Sequence, residues 1–435
     1  MSVDRRKIPW SRGDKAIMVV SIAAVLAALA FAIIDYYNNS FPLIHIPPAS
    51  MPNPNGYELA LSAGRNVVTG WPMRGSQPPP PTPTSNMPKR VDHPDLRDPK
   101  IMAAADALVG QNRPGITALE ASFSYPFKAP PIRSFYQFAD IRPIIALGQF
   151  LRFEAEVKDA KGDLDGACRP ALDAVRLGTE VMRGGEEIHE SVGTSCQFRG
   201  RETLWDVVGS VTSSTARRTA RTLEAIDASS VPCADVVQQE EWTDEASLLE
   251  VLSQRNWKRQ FTGNSGTQSV QESLRMASLS RGEIMRDLIA QMDARVAAAK
   301  RPYGTPVKTM PSDPAIDTFQ NANEFDDLRA GMAYNQAQNR LLMTAFALRA
   351  YKLDHGSYPS TLQALAPSYL RAVPVDPFTA GAPLIYRNTG KTYLLYSVGP
   401  DMKDDGGKPI GQPRDQDWED VSWSAHGDVV AGVDR

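Results

Sequence analysis

The sequence has few of the residues from which disulfide frameworks and common metal sites are built. Cysteine occurs only three times in 435 residues, at Cys168, Cys196 and Cys233. Three widely spaced cysteines form neither a disulfide framework nor a four-cysteine zinc site. Because free cysteine is often buried, we expect three small buried thiols. A bridge between Cys168 and Cys196 outside the cytoplasm is the alternative.

The chain also lacks an excess of positive charge. Its 47 Lys and Arg residues stand against 50 Asp and Glu residues, which gives a net charge of −3. Nucleic-acid binding needs concentrated Lys and Arg to contact phosphates, so nucleic acid is excluded as an expected partner. Hydrophobic residues make up 42% and charged residues 22%, which is ordinary globular composition, so disorder is expected only in segments.

Sequence motifs for nucleotide binding and nucleophilic catalysis are missing as well. There is no Walker or dinucleotide-binding glycine motif, and residues 263–266 lack the Gly-x-Ser-x-Gly pattern. His189 lies in Glu-Glu-Ile-His-Glu (186–190) without the second His, four residues on, that a zinc protease needs. We therefore expect a polar helix face there. The sequence points to no reaction, and an enzyme would have to assemble its site from scattered residues.

One long hydrophobic run is present near the N-terminus. Residues 16–34 are uncharged, and nineteen residues in a helix span roughly 28 Å, close to the thickness of a bilayer core. Basic residues precede the run and two tyrosines follow it, which predicts a cytoplasmic N-terminus with the bulk of the chain outside. The run is longer than a signal-peptide core and has no Ala-x-Ala exit, so we predict an uncleaved single span.

Proline and hydrophobic periodicity divide the rest of the chain. Prolines, including the run 78–81, predict an extended tether that is interrupted by one short helix at 57–68. Apolar residues then recur at spacings of three and four, which predicts helices. The pair at 140–160 and 164–182 loosely resembles a tetratricopeptide hairpin, but no clear 34-residue recurrence follows, so an irregular bundle is predicted. Further helices are predicted at 199–223, 244–257 and 270–300.

The C-terminal region has a different pattern. A helix is predicted at 326–354, and its centre, 341–348, is apolar on nearly every face. Eight residues are too few to span a bilayer, so this should be a core helix that a sheet wraps. Gly356 is placed to end the helix, and a hairpin is predicted around residues 388–391.

These signals together predict a multidomain α+β protein with an N-terminal transmembrane helix, an irregular or repeat-like helical bundle, and a C-terminal long helix packed on a small antiparallel sheet. The predicted segments are a cytoplasmic basic segment (1–15), a transmembrane helix (16–35), a Pro-rich tether (36–100), a helical domain (101–301), a linker (302–316) and the α+β domain (317–435).

The stretch 351–423 carries a family resemblance. Tyr-x-Leu-Asp-x-Gly-x-Tyr-Pro begins at Tyr351, Pro-Val-Asp-Pro begins at Pro374, and Ser-Val-Gly-Pro-Asp begins at Ser397. Gly-Gly and then Asp-Val-Ser-Trp follow. This order resembles the globular domain of the major pseudopilin of type II secretion systems. The fuller arrangement resembles uncharacterised single-span envelope proteins of planctomycete-like bacteria, in which a helical region precedes the same ending.

The N-terminus departs from the pseudopilin pattern. A pseudopilin has a processing site in which a Gly is followed by Phe or Met, with a Glu five residues into the mature chain. Here Gly13 is followed by Asp-Lys-Ala-Ile-Met, without that Glu. Filament assembly by the pseudopilin route is therefore not expected.

The resemblance also implies a calcium site in the acidic loop before the last strand. Oxygen ligands on a flexible, Gly-containing loop suit Ca²⁺, which takes about 6–8 oxygens. The spacing is not that of an EF-hand. The alternative is a solvated acidic turn, since Asp and Gly are common turn residues. The implied ligands are Asp401 and Asp420 first, then Asp404, Asp405 and Asp417.

The function expected from these observations is that of a membrane-anchored extracytoplasmic binding or scaffold protein, related to secretion or envelope assembly. Its partners would be the bilayer, through residues 16–35, and a protein bound by the helical domain. Two alternatives remain open. One is an envelope hydrolase with a site that sequence does not reveal, and the other is an atypical pseudopilin of a type II secretion system.

Overall fold

The computed structural model describes residues 12–68, 95–261, 279–305, 324–410 and 427–432. These residues fall into two units. The first contains residues 12–46, 245–261 and 279–291, and the second contains residues 47–68, 95–244, 292–305, 324–410 and 427–432.

The first unit contains the apolar helix α1, Arg12–Asn39. Within it, Lys15–Tyr36 is long and apolar enough to cross a membrane by length and composition, and none of that segment is buried. The sequence prediction of one N-terminal apolar helix is therefore confirmed. The short helix α9, Lys258–Phe261, also lies in this unit, and α8 (Cys233–Ser253) and α10 (Arg281–Ala299) contribute residues to both units.

The second unit contains most of the helices and all of the described strands. Its helices are α2 (Gly56–Arg65), α3 (Pro99–Ser122), α4 (Arg142–Ala160), α5 (Leu164–Val181), α6 (Glu187–Val207), α7 (Ser213–Ala228) and α11 (Glu324–His355), with a 3-10 helix at Leu362–Leu365. Its strands are β1 (Ile385–Asn388), β2 (Tyr393–Ser397) and β3 (Val429–Val430), which form one antiparallel sheet in the order β1-β2-β3.

The predicted hairpin of two helices is formed by α4 and α5. Gly162 adopts a φ of +77°, which suits glycine because a Cβ is strained there. The side chain of Asp163 then accepts a hydrogen bond from the N–H of Gly166 at 2.9 Å, which caps α5. The two helices pack against each other and against α6.

The contact between α5 and α6 depends on glycine. A Cβ on Gly178 would lie 2.2 Å from the carbonyl oxygen of Gly193, and a Cβ on Gly193 would lie 2.4 Å from that of Gly178. Seven residues after Gly193 on α6, a Cβ on Gly200 would lie 2.3 Å from the carbonyl oxygen of Ala171. The two backbones therefore approach more closely than any side chain permits.

The prediction of a single helix over 199–223 is wrong. The structure ends α6 at Val207 and begins α7 at Ser213. The side chain of Thr212 accepts a hydrogen bond from the N–H of Thr215 at 3.3 Å, so Thr212 is the N-cap of α7. A hydroxyl that caps a new helix competes with continuation of the previous one, which explains the break.

The short helix predicted within the proline-rich segment is present as α2. Asn55 caps it by accepting from the N–H of Tyr57 at 3.1 Å, and the amide of Asn55 donates to the carbonyl of Lys128 at 2.8 Å. α2 packs against α3 and α4. Part of the segment interpreted as a tether thus contributes to the core of the second unit.

Helix α11 lies at the centre of the larger core. All eight residues from Leu341 to Leu348 are buried. Because successive helical residues point about 100° apart, eight buried residues in a row mean that the helix is enclosed on every side. α11 contacts α6 and α7, and it also contacts the 3-10 helix, β2 and β3. The prediction of a core helix covered by a sheet is confirmed. Helices α6 and α7 cover it as well.

Polar contacts join α11 to α7 at two places. Asp354, near the C-terminal end of α11, accepts hydrogen bonds from the hydroxyl of Ser213 at 2.5 Å and from that of Tyr369 at 2.8 Å. Arg340 forms an ion pair with Asp227 of α7 at 3.0 Å. Gly356 then ends α11 with a φ of +77°, as predicted. Helices α5 to α7 and the C-terminal region share one hydrophobic core.

Candidate functional site

The acidic loop contains the calcium ligands implied by the sequence. Asp401, Asp404 and Asp405 are described, whereas Asp417 and Asp420 lie outside the described residues. Within the described part of the chain, no three His, Cys, Asp or Glu side chains are grouped so that they could hold a metal ion. The three described aspartates are not grouped in that way, and the calcium site stays a prediction.

Hydrogen bonds fix the described part of this loop. Oδ1 of Asp404 accepts from the N–H of Gly406 at 2.9 Å and from the hydroxyl of Tyr396 at 2.8 Å. These two bonds, that of Gly406 first, lower the pKa of the Asp404 carboxyl and keep it ionised. Oδ1 of Asp401 accepts from the N–H of Lys403 at 3.1 Å.

Asp428 shapes the same loop and was missed by sequence reasoning. Its side chain is fully buried, and its two oxygens accept from the N–H groups of Asp405 at 3.2 Å and Gly407 at 2.7 Å. Burial raises the pKa of Asp428 despite these two bonds. The sequence signal that could have identified Asp428 is its position directly before the apolar pair Val429–Val430.

Like Asp428, the aspartate of the Pro-Val-Asp-Pro motif accepts hydrogen bonds from backbone N–H groups. Asp376 is fully buried. One of its oxygens accepts from the N–H of Phe378 at 3.0 Å and the hydroxyl of Ser397 at 2.7 Å, while the other accepts from the N–H of Val398 at 2.9 Å. The carboxylate therefore connects the loop to the end of β2. Its partners are all structural, so this motif residue positions the backbone.

A cavity of about 410 Å³ lies in the second unit. Its wall is formed by residues of α5, α6, α7 and α11, by residues of the segments 230–233 and 299–303, and by Pro377. Four residues with amide side chains line it, Gln197, Asn335, Gln336 and Asn339, together with Arg301 and Arg329. Its wall is about equally polar and apolar.

The amides of the wall form a buried network. Oε1 of Gln197 accepts from Nδ2 of Asn335 at 2.7 Å and from Nδ2 of Asn339 at 3.1 Å. Nη1 of Arg201 donates to the same Oε1 at 3.2 Å and to Oδ1 of Asn339 at 3.0 Å. The residues stand in pairs four apart, Gln197 with Arg201 and Asn335 with Asn339. That i, i+4 spacing, which places each pair on one helix face, was the sequence signal that could have revealed the network.

Arg201 lies behind this network without a carboxylate partner. Its side chain is buried, and among the described residues its hydrogen bonds go to amide oxygens. Burial lowers the pKa of Arg201 to about 10, so the guanidinium stays charged at neutral pH. A positive charge is thus buried beside the cavity.

Comparison with known families is informative for the C-terminal part only. Residues 328–412 match the family described as "Type II secretion system (T2SS), protein G". The C-terminal domain is pseudopilin-like. The matched segment contains most of α11, β1, β2 and the described aspartates of the acidic loop. No curated protein and no solved structure matches the chain. The likeness of the whole chain to single-span envelope proteins therefore stays a prediction.

The segment around His189 lies outside the pseudopilin-like domain, and the prediction of a polar helix face at His189 is wrong because the polar side chains are buried. His189 is 1% exposed, Glu186 and Glu190 are 8% exposed, and Ile188 is 40% exposed. The imidazole packs against the ring of Tyr57 in α2, with centroids 5.8 Å apart. Desolvation lowers the pKa of His189 to about 4 and raises the pKa of Glu190 to about 7. The local sequence around His189 does not show that α2 packs over the first turn of α6.

The cysteines and the histidine do not combine into a catalytic site. All three cysteines are free thiols; Cys168 and Cys196 are buried, and Cys233 is half-buried in the cavity wall. Desolvation raises the pKa of Cys233 to about 12, so it is not a thiolate nucleophile at neutral pH. None of residues 186–190 lines the cavity.

Proposed function

We propose that this chain is a membrane-anchored extracytoplasmic scaffold and binding protein, related to secretion or envelope assembly. Its helical region fixes the pseudopilin-like domain as one part of a larger folded unit. The observation that carries the proposal is the complete enclosure of residues 341–348 of α11 by α6, α7 and the C-terminal sheet region.

An enclosed helix has consequences for assembly. Packing of a second copy against α11 would require apolar surface there, and its centre has none to offer. The ion pair between Arg340 and Asp227 and the bonds of Asp354 to Ser213 further join α11 to α7. The pseudopilin-like domain would therefore meet a partner through its sheet and loops. This argues against an atypical pseudopilin that assembles through its long helix.

The bilayer is the first partner in this proposal. Residues 16–35 would span it, because Lys15–Tyr36 has the length and composition that crossing requires. The basic residues before the span and the tyrosines after it support a cytoplasmic N-terminus and an extracytoplasmic remainder in the inner (cytoplasmic) membrane.

A protein is the second partner, bound by the helical region. Support comes from three aromatic side chains in the connection between α3 and α4, Phe135, Tyr136 and Phe138, which are 43%, 56% and 87% exposed. Large exposed aromatics are enriched at protein interfaces. Replacement of Phe138 by Ser should leave stability unchanged and weaken photo-crosslinking of this loop to membrane proteins in intact cells. Unchanged crosslinking would remove the loop from the interface.

Calcium is proposed as a stabiliser of the acidic loop. Asp401, Asp404 and Asp405 supply carboxylate oxygens on a turn that contains glycine, which is chemistry that suits Ca²⁺. Asp417 and Asp420 would have to supply further ligands. A bound ion would offset the repulsion among these acids and fix the loop; no reaction is assigned to it.

The scaffold is distinguished from a pseudopilin by processing and assembly. We expect the full-length chain, extracted from membranes in detergent, to have an unprocessed N-terminus and to sediment as a small, discrete species. Cleavage after Gly13 together with fibre formation would overturn the proposal in favour of the pseudopilin. N-terminal sequencing and analytical ultracentrifugation of the same sample give both answers.

A further inference from the structure

The cavity between α6 and α11 has the size of a ligand site. Its volume of about 410 Å³ lies within the range of about 300–1,000 Å³ that small-molecule sites occupy. A water molecule takes about 30 Å³ of liquid, so the space is far larger than one bridging water needs. A molecule of metabolite size fits it.

The surroundings of the cavity carry an excess of positive charge. Arg301 and Arg329 line it, and Arg201 lies directly behind Gln197 and Asn339. Asp227 is the one acidic residue among the described lining residues, and it is already paired with Arg340 at 3.0 Å. The site is therefore suited to an anion.

Arg329 is the buried one of the two arginines that line the cavity. Its side chain lies on α11 and the residue is 9% exposed. Its guanidinium donates a long hydrogen bond of 3.4 Å to the carbonyl oxygen of Pro302 and lies near the rings of Tyr303 and Phe325. Among the described residues no carboxylate pairs with it. Burial of an unpaired charge is unfavourable, and an anionic ligand would relieve that cost.

The wall also contains acceptors that have no donor. Oδ1 of Asn335 and Oδ1 of Asp227 are buried, and neither has a hydrogen-bond partner within the described chain. Nδ2 of Asn335 is already used, since it donates to Gln197. The free oxygens therefore call for O–H or N–H groups on whatever fills the cavity. An anion without donors, such as a simple fatty acid, would leave them unsatisfied.

We propose that this cavity binds a small organic carboxylate that also carries hydroxyl or amino donors. The carboxylate lies against Arg329 and Arg301, and the donors reach Oδ1 of Asn335 and of Asp227. Both a free hydroxy acid and the carboxyl-terminal end of a peptide have this chemistry. The site is separate from the acidic loop and does not depend on the proposed scaffold role.

The test is calorimetric titration of the full-length protein in detergent with four probes. L-tartrate and alanyl-alanine carry a carboxylate and donors, alanyl-alanine amide lacks the carboxylate, and butyrate lacks the donors. Saturable binding of tartrate or alanyl-alanine is expected, at least ten times tighter than binding of the amide and butyrate. Stronger binding of tartrate would identify a free hydroxy acid as the source, and stronger binding of alanyl-alanine would identify a peptide end.

Variants on one helix provide the control. Arg329→Gln should weaken binding at least ten-fold, whereas Arg349→Gln should not change it. Arg349 also lies on α11 and donates to a backbone carbonyl, that of Val211, but does not line the cavity. If Arg329→Gln does not fold, Arg301→Gln replaces it, because that side chain is exposed. Absence of saturable binding to the parent protein, equal binding of the amide, or parent-like binding by the folded lining variant would each overturn the proposal.

Discussion

The hydroxyl of Ser397 donates a hydrogen bond to Oδ1 of Asp376 at 2.7 Å, and this bond joins two motifs of the pseudopilin-like domain. One motif is a loop bounded by prolines and the other is the end of β2. Because the carboxylate also accepts from two backbone N–H groups, it satisfies donors that no solvent reaches. This buried contact is a structural reason for the presence of both motifs in the sequence.

Replacement of Asp376 by Ala should be strongly destabilising. The substitution leaves the donors on Phe378, Ser397 and Val398 buried and unpaired, and each such group costs about 1–3 kcal/mol. We expect a total loss of about 3 kcal/mol or more in the urea-induced unfolding of the second unit. Lys391→Ala, in the exposed turn after β1, is the control and should change stability by less than about 0.5 kcal/mol. Equal effects of the two substitutions would contradict this account.

Calcium should raise the melting temperature of the full-length protein. A ligand that binds only the native state stabilises it by about 2.7 kcal/mol at a concentration of one hundred times Kd. We expect a higher melting temperature in millimolar calcium than in chelator, and loss of that difference in Asp401→Asn and Asp420→Asn. Magnesium serves as the ion control. An identical melting temperature with calcium and with chelator would eliminate the metal.

Glu190 should make stability depend on pH. Its pKa is raised to about 7 because it is desolvated, against an ordinary value of 4.5, so the native state binds the proton more tightly than the unfolded state does. The contribution of Glu190 to the stability of the native state is therefore most favourable below about pH 4.5 and is lost as the pH rises towards 7.

Glu190→Gln should remove this dependence. The variant should gain stability relative to the parent as the pH rises from 5 to 8, by at most about 3 kcal/mol, since one pKa unit corresponds to about 1.4 kcal/mol. The hydroxyl of Thr194, which donates to Oε1 of Glu190 at 2.7 Å, keeps an acceptor in glutamine. Urea midpoints at both pH values measure the effect, and Glu58→Gln on the exposed face of α2 is the control. A gap between parent and variant that does not grow with pH would be inconsistent with a desolvated carboxyl.

Glycine-to-alanine substitutions should have opposite effects in two helices. Gly193→Ala forces a methyl group to within 2.4 Å of the carbonyl oxygen of Gly178, so α5 and α6 must separate. We expect a loss of about 2 kcal/mol or more, by analogy with overpacked cores. Gly110→Ala in α3, where a Cβ meets nothing within 4 Å, should instead stabilise by up to about 1 kcal/mol. Thermal melting of both variants tests the close contact, and a neutral Gly193→Ala would refute it.

The parts of the fold that the sequence predicted are those specified by local signals. The α4–α5 hairpin has a glycine turn and an Asp cap, and α11 has an unbroken apolar centre. β1 ends at Asn388, and the turn between β1 and β2 contains Gly390. Each of these signals acts over a few neighbouring residues, because hydrophobic periodicity and turn-forming residues determine local structure.

The parts that the sequence did not predict depend on contacts between distant segments. Burial of His189 requires α2 to pack over the first turn of α6. The network at Gln197 and Asn335 exists only because α6 and α11 meet, although 138 residues separate the two side chains. The break before Thr212 had a local signal, but helix-forming residues on both sides concealed it.

The enclosure of α11 also sets the order in which the protein can fold. Helices α5, α6 and α7 all end at or before Ala228, whereas α11 begins at Glu324, so during synthesis they emerge before the segment that completes their core. Until α11 has been synthesised, the apolar faces of α6 and α7 that pack against it lack their partner. Such a late-closing core is the kind of intermediate that chaperones and proteases act on. We therefore expect α6 and α7 to reach their native packing only once α11 is present.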